Sequence, residues 1–509
     1  MAYLLGLDVG TTGTKTLLID EQGKVVARAL AEYPMAVPRP NWAEQDPHDW
    51  WKATVDTIRR VLADSGVTPA DIAGIGLSGQ MHGSVFLDEH DEVIRPAILW
   101  CDQRTAAQCQ WIHDAVGYET VVAETLNPVL AGFQAPKIVW LRDNEPGNYA
   151  RLRRVLLPKD YVRLLLTGEY ATEVSDASGT SLLNVPERRW SRAMLEGIGL
   201  PEEWLPQVFE SAEVSGRISE AAAQATGLAP GTPVVGGGGD QAAGAVGNGI
   251  VETGVVSSTL GTSGVVFAHL DEPLMDGKLR THTFCHAVPG KWHTMGVMLS
   301  AGGSLRWLRD SLCSEERALA ARLGCDPYEL ICEQAAAIAP GADGLVFLPY
   351  LTGERTPYPD PNAKGVFFGL SLLHDKRHII RAVLEGVAFG MRDSFEIIKG
   401  MGVQFSQVRA SGGGARSRLW RQIQSDVTGE AHWTINVDEG PAFGVALLAG
   451  VGVGLWPSVP AACKATIQMG DRTDVDAEAH QAYEGYYALY QDLYRRLEGA
   501  YDDLARLLG

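Results

Sequence analysis

The chain lacks most of the features by which common function classes show themselves in sequence. No window of about 18 consecutive apolar residues occurs, so no membrane span is expected. The N-terminus, MAYLLGLDVG, has neither a basic n-region nor a long apolar run, and it reads as a first strand, not a signal peptide. Cysteine is sparse: Cys101, Cys109, Cys285, Cys313, Cys325, Cys332 and Cys463 make an odd seven without a Cys-x-x-Cys pair, which suits reduced thiols in a cytoplasmic protein. No Cys/His metal cluster, G-x-S-x-G elbow, G-x-x-x-x-G-K-[ST] loop or nucleic-acid motif is found. Basic charge is also short, with 43 Lys and Arg against 62 Asp and Glu and a net charge of -19. Such a field disfavours nucleic acid and anionic membrane as partners, and an anionic cofactor must be held by local features.

What is present is a long globular chain. Its 509 residues, 46% hydrophobic, exceed what one core can organise and indicate two large domains. The opening reads strand (3–8), Gly/Thr turn, strand (TLLID), polar turn, strand (VVARAL), a meander of three antiparallel strands. A helix follows from DPHDWW, with Asp46 as its cap, Pro47 in its first turn, and Trp50, Thr54, Ile58 and Leu62 four apart. Strand IAGIGLS (72–78) completes a β-β-β-α-β order.

The same opening returns later. GTTGTKTLL (10–18) aligns without a gap with GTSGVVFAH (261–269), and a repeat of this kind indicates two lobes of one architecture. The boundary falls near the glycine-rich 244–254, giving lobes of 1–248 and 249–509. Only one acid is kept: Asp8 stands two residues before Gly10, and Thr259 two before Gly261. Two such turns facing across a cleft, with one acid between them, would suit phosphoryl transfer. The C-terminal helical stretch carries an aromatic stripe from Tyr483 to Tyr494, expected to pack rather than to bind a cofactor.

Four segments could carry chemistry. In DVGTTGTK, glycines let backbone N–H groups converge on an anion, Lys15 can neutralise phosphate, and Asp8 can hold Mg²⁺ through water; a plain hairpin with a solvated acid is the alternative. In SGGGARS, Gly413 and Gly414 let a flat ring lie on backbone, and Ser417 can cap the next helix, though an ordinary strand-to-helix turn would look the same. In GGGGDQ, Asp240 begins a helix whose N-terminus is expected to keep it ionised, as a base for a sugar hydroxyl or simply as an N-cap. In SGQMHGS, His82 offers hydrogen bonds to a polyol and Met81 offers apolar contact, against a satisfied loop histidine. WAEQDP, WCDQR, LLPKDY and PYLTGERTP read as ordered turns, explained by capping and salt bridging.

Together these residues resemble the FGGY carbohydrate kinases, nearly end to end from LGLDVGTTGTK to GPAFGVALLAG. SGQMHG, RPAILWCDQR, LLPKDY, TFCHA, LPYLTGERTP and AKGVFFGL point to the branch that phosphorylates xylulose. The resemblance implies an α/β hexokinase/actin-type fold of two ribonuclease-H-like lobes with ATP and a ketopentose, D-xylulose, in the central cleft. It implies Asp240 as general base and Asp8 for metal and phosphate. Met81, His82 and Gln241 would lie at the sugar. Gly10, Thr11, Thr12 and Lys15 would form the first phosphate loop, and Gly261 and Thr262 the second. Gly302, Gly413, Gly414 and Ser417 would face adenosine. One departure stands out: Gln241 occupies the place where the branch carries Asn. Other ketose or polyol kinases, an actin-like ATPase and a sugar-responsive regulator are the competing readings, and the assembly is left open between monomer and homodimer.

Overall fold

The computed structural model describes residues 2–508 except Asp438. Two mixed sheets organise it. In the first lobe the meander forms as expected: β1 (Tyr3–Val9), β2 (Gly13–Asp20) and β3 (Val25–Glu32) are antiparallel neighbours. Helix α1 (Pro47–Ser65) starts at Asp46, whose carboxylate accepts from the His48 amide, and stops at Gly66 in the left-handed region. Strands β4 (Ile72–Gly79) and β5 (Pro233–Val235) then add in parallel, giving the order β3-β2-β1-β4-β5.

The second lobe repeats this. After helix α2 (Asp240–Gly247) come β6 (Val255–Leu260), β7 (Gly264–Leu270) and β8 (Trp292–Met298), all antiparallel. Helices α3 (Gly302–Leu312) and α4 (Lys376–Gly400) lead to β9 (Gln407–Ser411), and α5 (Arg418–Thr428) to β10 (His432–Ile435). Both strands are parallel to their inner neighbours, so the order is β8-β7-β6-β9-β10, the counterpart of the first sheet. The two sheets share one strand order, the paired-lobe architecture expected of a hexokinase/actin-type fold.

The connecting helices are exchanged. Along β1 the side chains alternate: Leu5, Leu7 and Val9 join the core under α1 with Trp50, Ile58 and Val61, and Leu4 joins the opposite core. That opposite face, which Gly6 and Asp8 share by period, is covered by α6 (Pro441–Gly452), a helix from the far end of the chain. Its sequence, PAFGVALLAGVG, is apolar all round because it lies between a sheet and α2. A Cβ at Gly6 would stand 1.8 Å from the Ala442 carbonyl oxygen, and one at Gly444 1.8 Å from that of Ala243, so these glycines set the approach. In return, Ala245 of α2 packs with Val265 and Phe267 of the second sheet. The final helix, α7 (Ala477–Leu508), buries Tyr483, Tyr487, Tyr490 and Tyr494 against the second lobe, the packing role expected of its aromatic stripe. Among the described residues no helix is long and apolar enough to cross a membrane.

Candidate active site

The two Gly-Thr turns face the space between the lobes, and they are not superimposable copies. In the first, the Gly10 amide donates to the Gly13 carbonyl (3.1 Å), and Asp8 pairs with Lys15 across the ladder. In the second, the Gly261 amide donates to the Ser263 carbonyl (3.0 Å), and Thr259 pairs with Val265. The second turn is one residue tighter, so the ungapped alignment of the repeat does not carry over as register. In both, the glycine amide closes the turn, and the amides of Thr11, Thr12, Thr262 and Ser263 donate to no described residue. Those four are the donors left for an anion.

Each loop is braced. The Thr11 hydroxyl accepts from Trp100 Nε1 (3.0 Å) and donates to Gln80 Oε1 (3.3 Å), while Gln45 Nε2 holds the Thr11 carbonyl (2.7 Å). The Thr11 side chain is therefore spent on the wall. Thr12 is exposed beside it. In the second loop the Gly302 amide donates to the Gly261 carbonyl (2.9 Å) and Gly303 to that of Thr262 (2.9 Å). Gly302 thus supports the loop from the start of α3. The Lys15 ammonium, expected beside phosphate, pairs with Glu439 of the second lobe (2.5 Å), which also takes Arg28 (2.6 Å).

A cavity of about 320 Å³ lies between the lobes. Asp240, Gln241 and Lys15 line it from the first lobe, and Thr259, Ser411 and Glu439 from the second. Beyond Ser411, a Cβ at Gly413 would meet nothing within 4 Å, an open stretch of backbone. Gly414 packs instead on Leu260, and Ser417 caps α5, its hydroxyl accepting from the Trp420 amide (3.3 Å).

The two carboxyls define the electrostatics. Asp8 sits between Lys15 and Ser78 on neighbouring strands, and its buried Oδ1 has no partner. Burial raises its pKa to about 6 against the opposing pulls of the Ser78 hydroxyl and Lys15. Burial also raises Asp240, to about 7, and the nearby charge of Asp8 adds to the shift. The helix N-terminus and the Gln241 amide favour the ionised form of Asp240, and desolvation and a like charge oppose them, so its pKa lies near neutrality and not in the ordinary carboxylate range. Nor is Asp240 an N-cap, since Gly239 holds that position and α2 has no side-chain cap.

Met81 and His82 reach the same region from the loop after β4. Met81 is buried against Gly239, where a Cβ would stand 2.9 Å from its Cγ. His82 adopts a left-handed backbone (φ 67°), which Lys137 Nζ braces by donating to the His82 and Gly132 carbonyls (2.8 and 2.7 Å). Its Nδ1 donates to the Gly179 carbonyl (2.7 Å), and its ring stacks on Phe133 at 4.5 Å. Burial lowers its pKa to about 3, so the ring is neutral and Nε2 is an acceptor for a hydroxyl.

Sequence reading missed several neighbours. Phe133 lies in a segment with no motif signal, and His282 and Glu439 directly precede TFCHA and GPAFGVALLAG without belonging to them. The bland reading of the turn segments holds for three of them: Asp46 of WAEQDP caps α1, Arg104 pairs with Asp102 (2.6 Å), and buried Lys159 with Asp160 and Asp176 (2.8 and 3.1 Å). It does not cover Arg355 of PYLTGERTP, which pairs with nothing described and acts on His82. Among the described residues no group of His, Cys, Asp and Glu forms a metal cluster by itself.

Comparison with known proteins agrees with this geometry. The chain is 39% identical to the xylulose kinase of Escherichia coli K12 over 502 residues, covering 97% of this chain and 99% of that one. It is 31% identical to the gluconokinase of Bacillus subtilis, covering 99% and 98%. The crystal structure of xylulose kinase from Rhodospirillum rubrum superposes with a TM-score of 0.88 at 30% identity, covering 98% of this chain and all of that one. The models of the N-terminal and C-terminal domains of the FGGY family of carbohydrate kinases match residues 3–247 and 256–453, and the chain belongs to that family.

Proposed function

We propose that this ATP-dependent carbohydrate kinase phosphorylates a ketopentose, D-xylulose, at its terminal hydroxyl to give D-xylulose 5-phosphate. The observation that carries the reading is Asp240. It is a carboxyl at the start of a helix, facing the cleft, with a pKa of about 7. A base of that pKa is matched to neutral pH: enough of it is ionised to accept the hydroxyl proton as the oxygen attacks phosphorus. The sugar would lie along Met81 and His82, with the His82 Nε2 accepting one hydroxyl and Gln241 donating to another. Relatives at 36–41% identity carrying the name xylulose kinase support this sugar, and the Gln241 departure keeps other ketoses and polyols of the family as the alternative.

ATP would span the other side. The free amides of Thr11 and Thr12, with Gly10 shaping the turn, and those after Gly261 at Thr262 and Ser263 would cradle its phosphates. Gly413 and Gly414 would lie under adenosine, with Gly302 and Ser417 holding the neighbouring backbone. The residues fit a magnesium ion: Asp8 Oδ1 is buried without a partner, the kind of acceptor a hydrated cation satisfies. Mg²⁺ held there would neutralise phosphate charge. The seven free cysteines support a cytoplasmic enzyme, and the acidic net charge disfavours nucleic acid and anionic membrane as partners. Lobes divided at 248/249 would close on the sugar.

The test is ATP consumption with D-xylulose, D-ribulose, L-ribulose, L-xylulose, D-gluconate, glycerol and xylitol side by side. D-xylulose should give the highest kcat/KM. A higher value for any other sugar would reassign the substrate within the family.

A further inference from the structure

Arg355 is a half-buried charged residue that the assignments above leave without a task. It belongs to the PYLTGERTP segment, far from the first-lobe residues in sequence, yet the fold fixes its loop beside them. Thr356 is tied to strand β8 twice, its amide donating to the Val297 carbonyl (3.0 Å) and its hydroxyl accepting from the Val297 amide (3.1 Å). Val297 packs in one cluster with Met81, Phe133 and Phe284. Glu354, on the other side, is held by the Leu299 amide (2.9 Å) and the Arg355 amide (2.8 Å).

The charge balance there is unusual. The Arg355 guanidinium makes no hydrogen bond or ion pair with any described residue, although it sits in a crowded setting that disfavours its charge. Glu354 does not neutralise it well, because burial lifts that carboxyl to about 8 and leaves it largely protonated. The two rings it acts on, His82 and His282, are neutral. A guanidinium with five donors and no acceptor, among neutral groups, is prepared for an oxygen that arrives with the substrate.

Its position also says which end of the substrate it meets. Met81 touches Gly239, next to Asp240; His82 follows, against Phe133; Arg355 acts on His82 and on His282, which lies beyond Phe133. The loop that carries Arg355 is tied to Val297, in the cluster that holds Met81 and Phe133 beside His82, and these contacts set it on the His82 side of Asp240.

We infer that Arg355 is the second lobe's contact with the sugar, donating to the sp² oxygen at the non-reacting end, a ketone or a carboxylate, and so selecting against polyols. This rests on the kinase reading above and adds what the site recognises. A planar donor fork matches an sp² oxygen with two lone pairs better than a single hydroxyl. It also makes aldonates of the same length ligands of this site.

The experiment uses the full chain. For the wild type and for Arg355→Met and Arg355→Lys, KM for D-xylulose and for ATP is measured, with inhibition constants of D-xylonate and xylitol against D-xylulose. Arg355→Met should raise KM for D-xylulose and the inhibition constant of D-xylonate about 10- to 100-fold. Xylitol and KM for ATP should move less than about threefold, and Arg355→Lys should restore part of the loss. If the three sugar constants move together, or none moves, the proposal is overturned. If Arg355→Met does not fold, as thermal melting would show, Arg355→Lys decides alone: unchanged constants for xylulose and xylonate overturn it. A wild type that phosphorylates no ketose would sink the kinase substrate reading instead, a separate result visible before any variant is made.

Discussion

The first and second Gly-Thr hairpins show how far a duplicated element can keep its backbone and change its chemistry. Both close on a glycine amide and leave two consecutive amides free, so the cleft has matched anion donors on both walls. The side chains differ. On the first, Asp8 faces Lys15 and Ser78; on the second, Thr259 faces Val265 and shares a hydrogen bond with Ser411 at 2.8 Å. Phosphate binding gains from donors on two sides. A carboxylate is useful on only one, because each acid near Asp240 raises its pKa and repels the nucleotide. The repeat keeps two pairs of free amides and only one acid, so the two walls differ in charge.

The largest effect is expected at Asp240, the proposed base between the two hairpins. Asp240→Asn should lower kcat by roughly 10²- to 10⁴-fold in steady-state assays with sugar still bound; turnover near normal would remove Asp240 from the reaction. The same variant tests its protonation. The folded pKa of about 7 lies above the ordinary carboxyl value, so the folded state holds more protons than the unfolded chain between about pH 4 and 7. Stability from this group is present below that window and lost as pH rises through it. Asp240→Asn should therefore melt higher than wild type above pH 7, with the gap closing toward pH 4. The acid limb of wild-type kcat/KM should fall near pH 7.

Next in size, Asp8→Thr turns the first hairpin into the chemical likeness of the second. Its kcat should fall about 10²-fold, the low end for loss of one transition-state contact, with an altered Mg²⁺ dependence and little change in sugar affinity. The reverse change, Thr259→Asp, puts a second carboxylate near the first pair. It should raise KM for ATP about tenfold while the fold stands. Equal outcomes for the two variants would erase the asymmetry.

Two glycines separate packing from binding. Gly6→Ala would press a methyl group onto the Ala442 carbonyl and should lower the melting temperature sharply. Gly413→Ala meets open space, so its melting should hold while KM for ATP rises. The smallest effect is expected at Gln241. Gln241→Asn should change the ratio of kcat/KM between D-xylulose and its competitors by up to about tenfold at constant KM for ATP. A ratio steady within twofold would confine Gln241 to holding Asp240.

Much of this was legible in sequence, for a local reason. The β-β-β-α-β opening, the Asp46 and Ser417 caps, the repeated turn and the final aromatic helix are set by alternation, capping and helical period within a few residues, and all are present in the structure. Met81 stands against Gly239, next to Asp240, a nearness that no local pattern encodes. What no short stretch encodes is what meets across the fold. The protonation of Asp240 follows from burial and from Asp8, 232 residues earlier in the chain. The slipped register of the second hairpin, the exchange of α2 and α6 between sheets, the capture of Lys15 by Glu439 and the placing of Arg355 beside His82 belong to the same class. Desolvation and Coulomb interaction act through space, and only the packed chain decides which charges are close and which are dry.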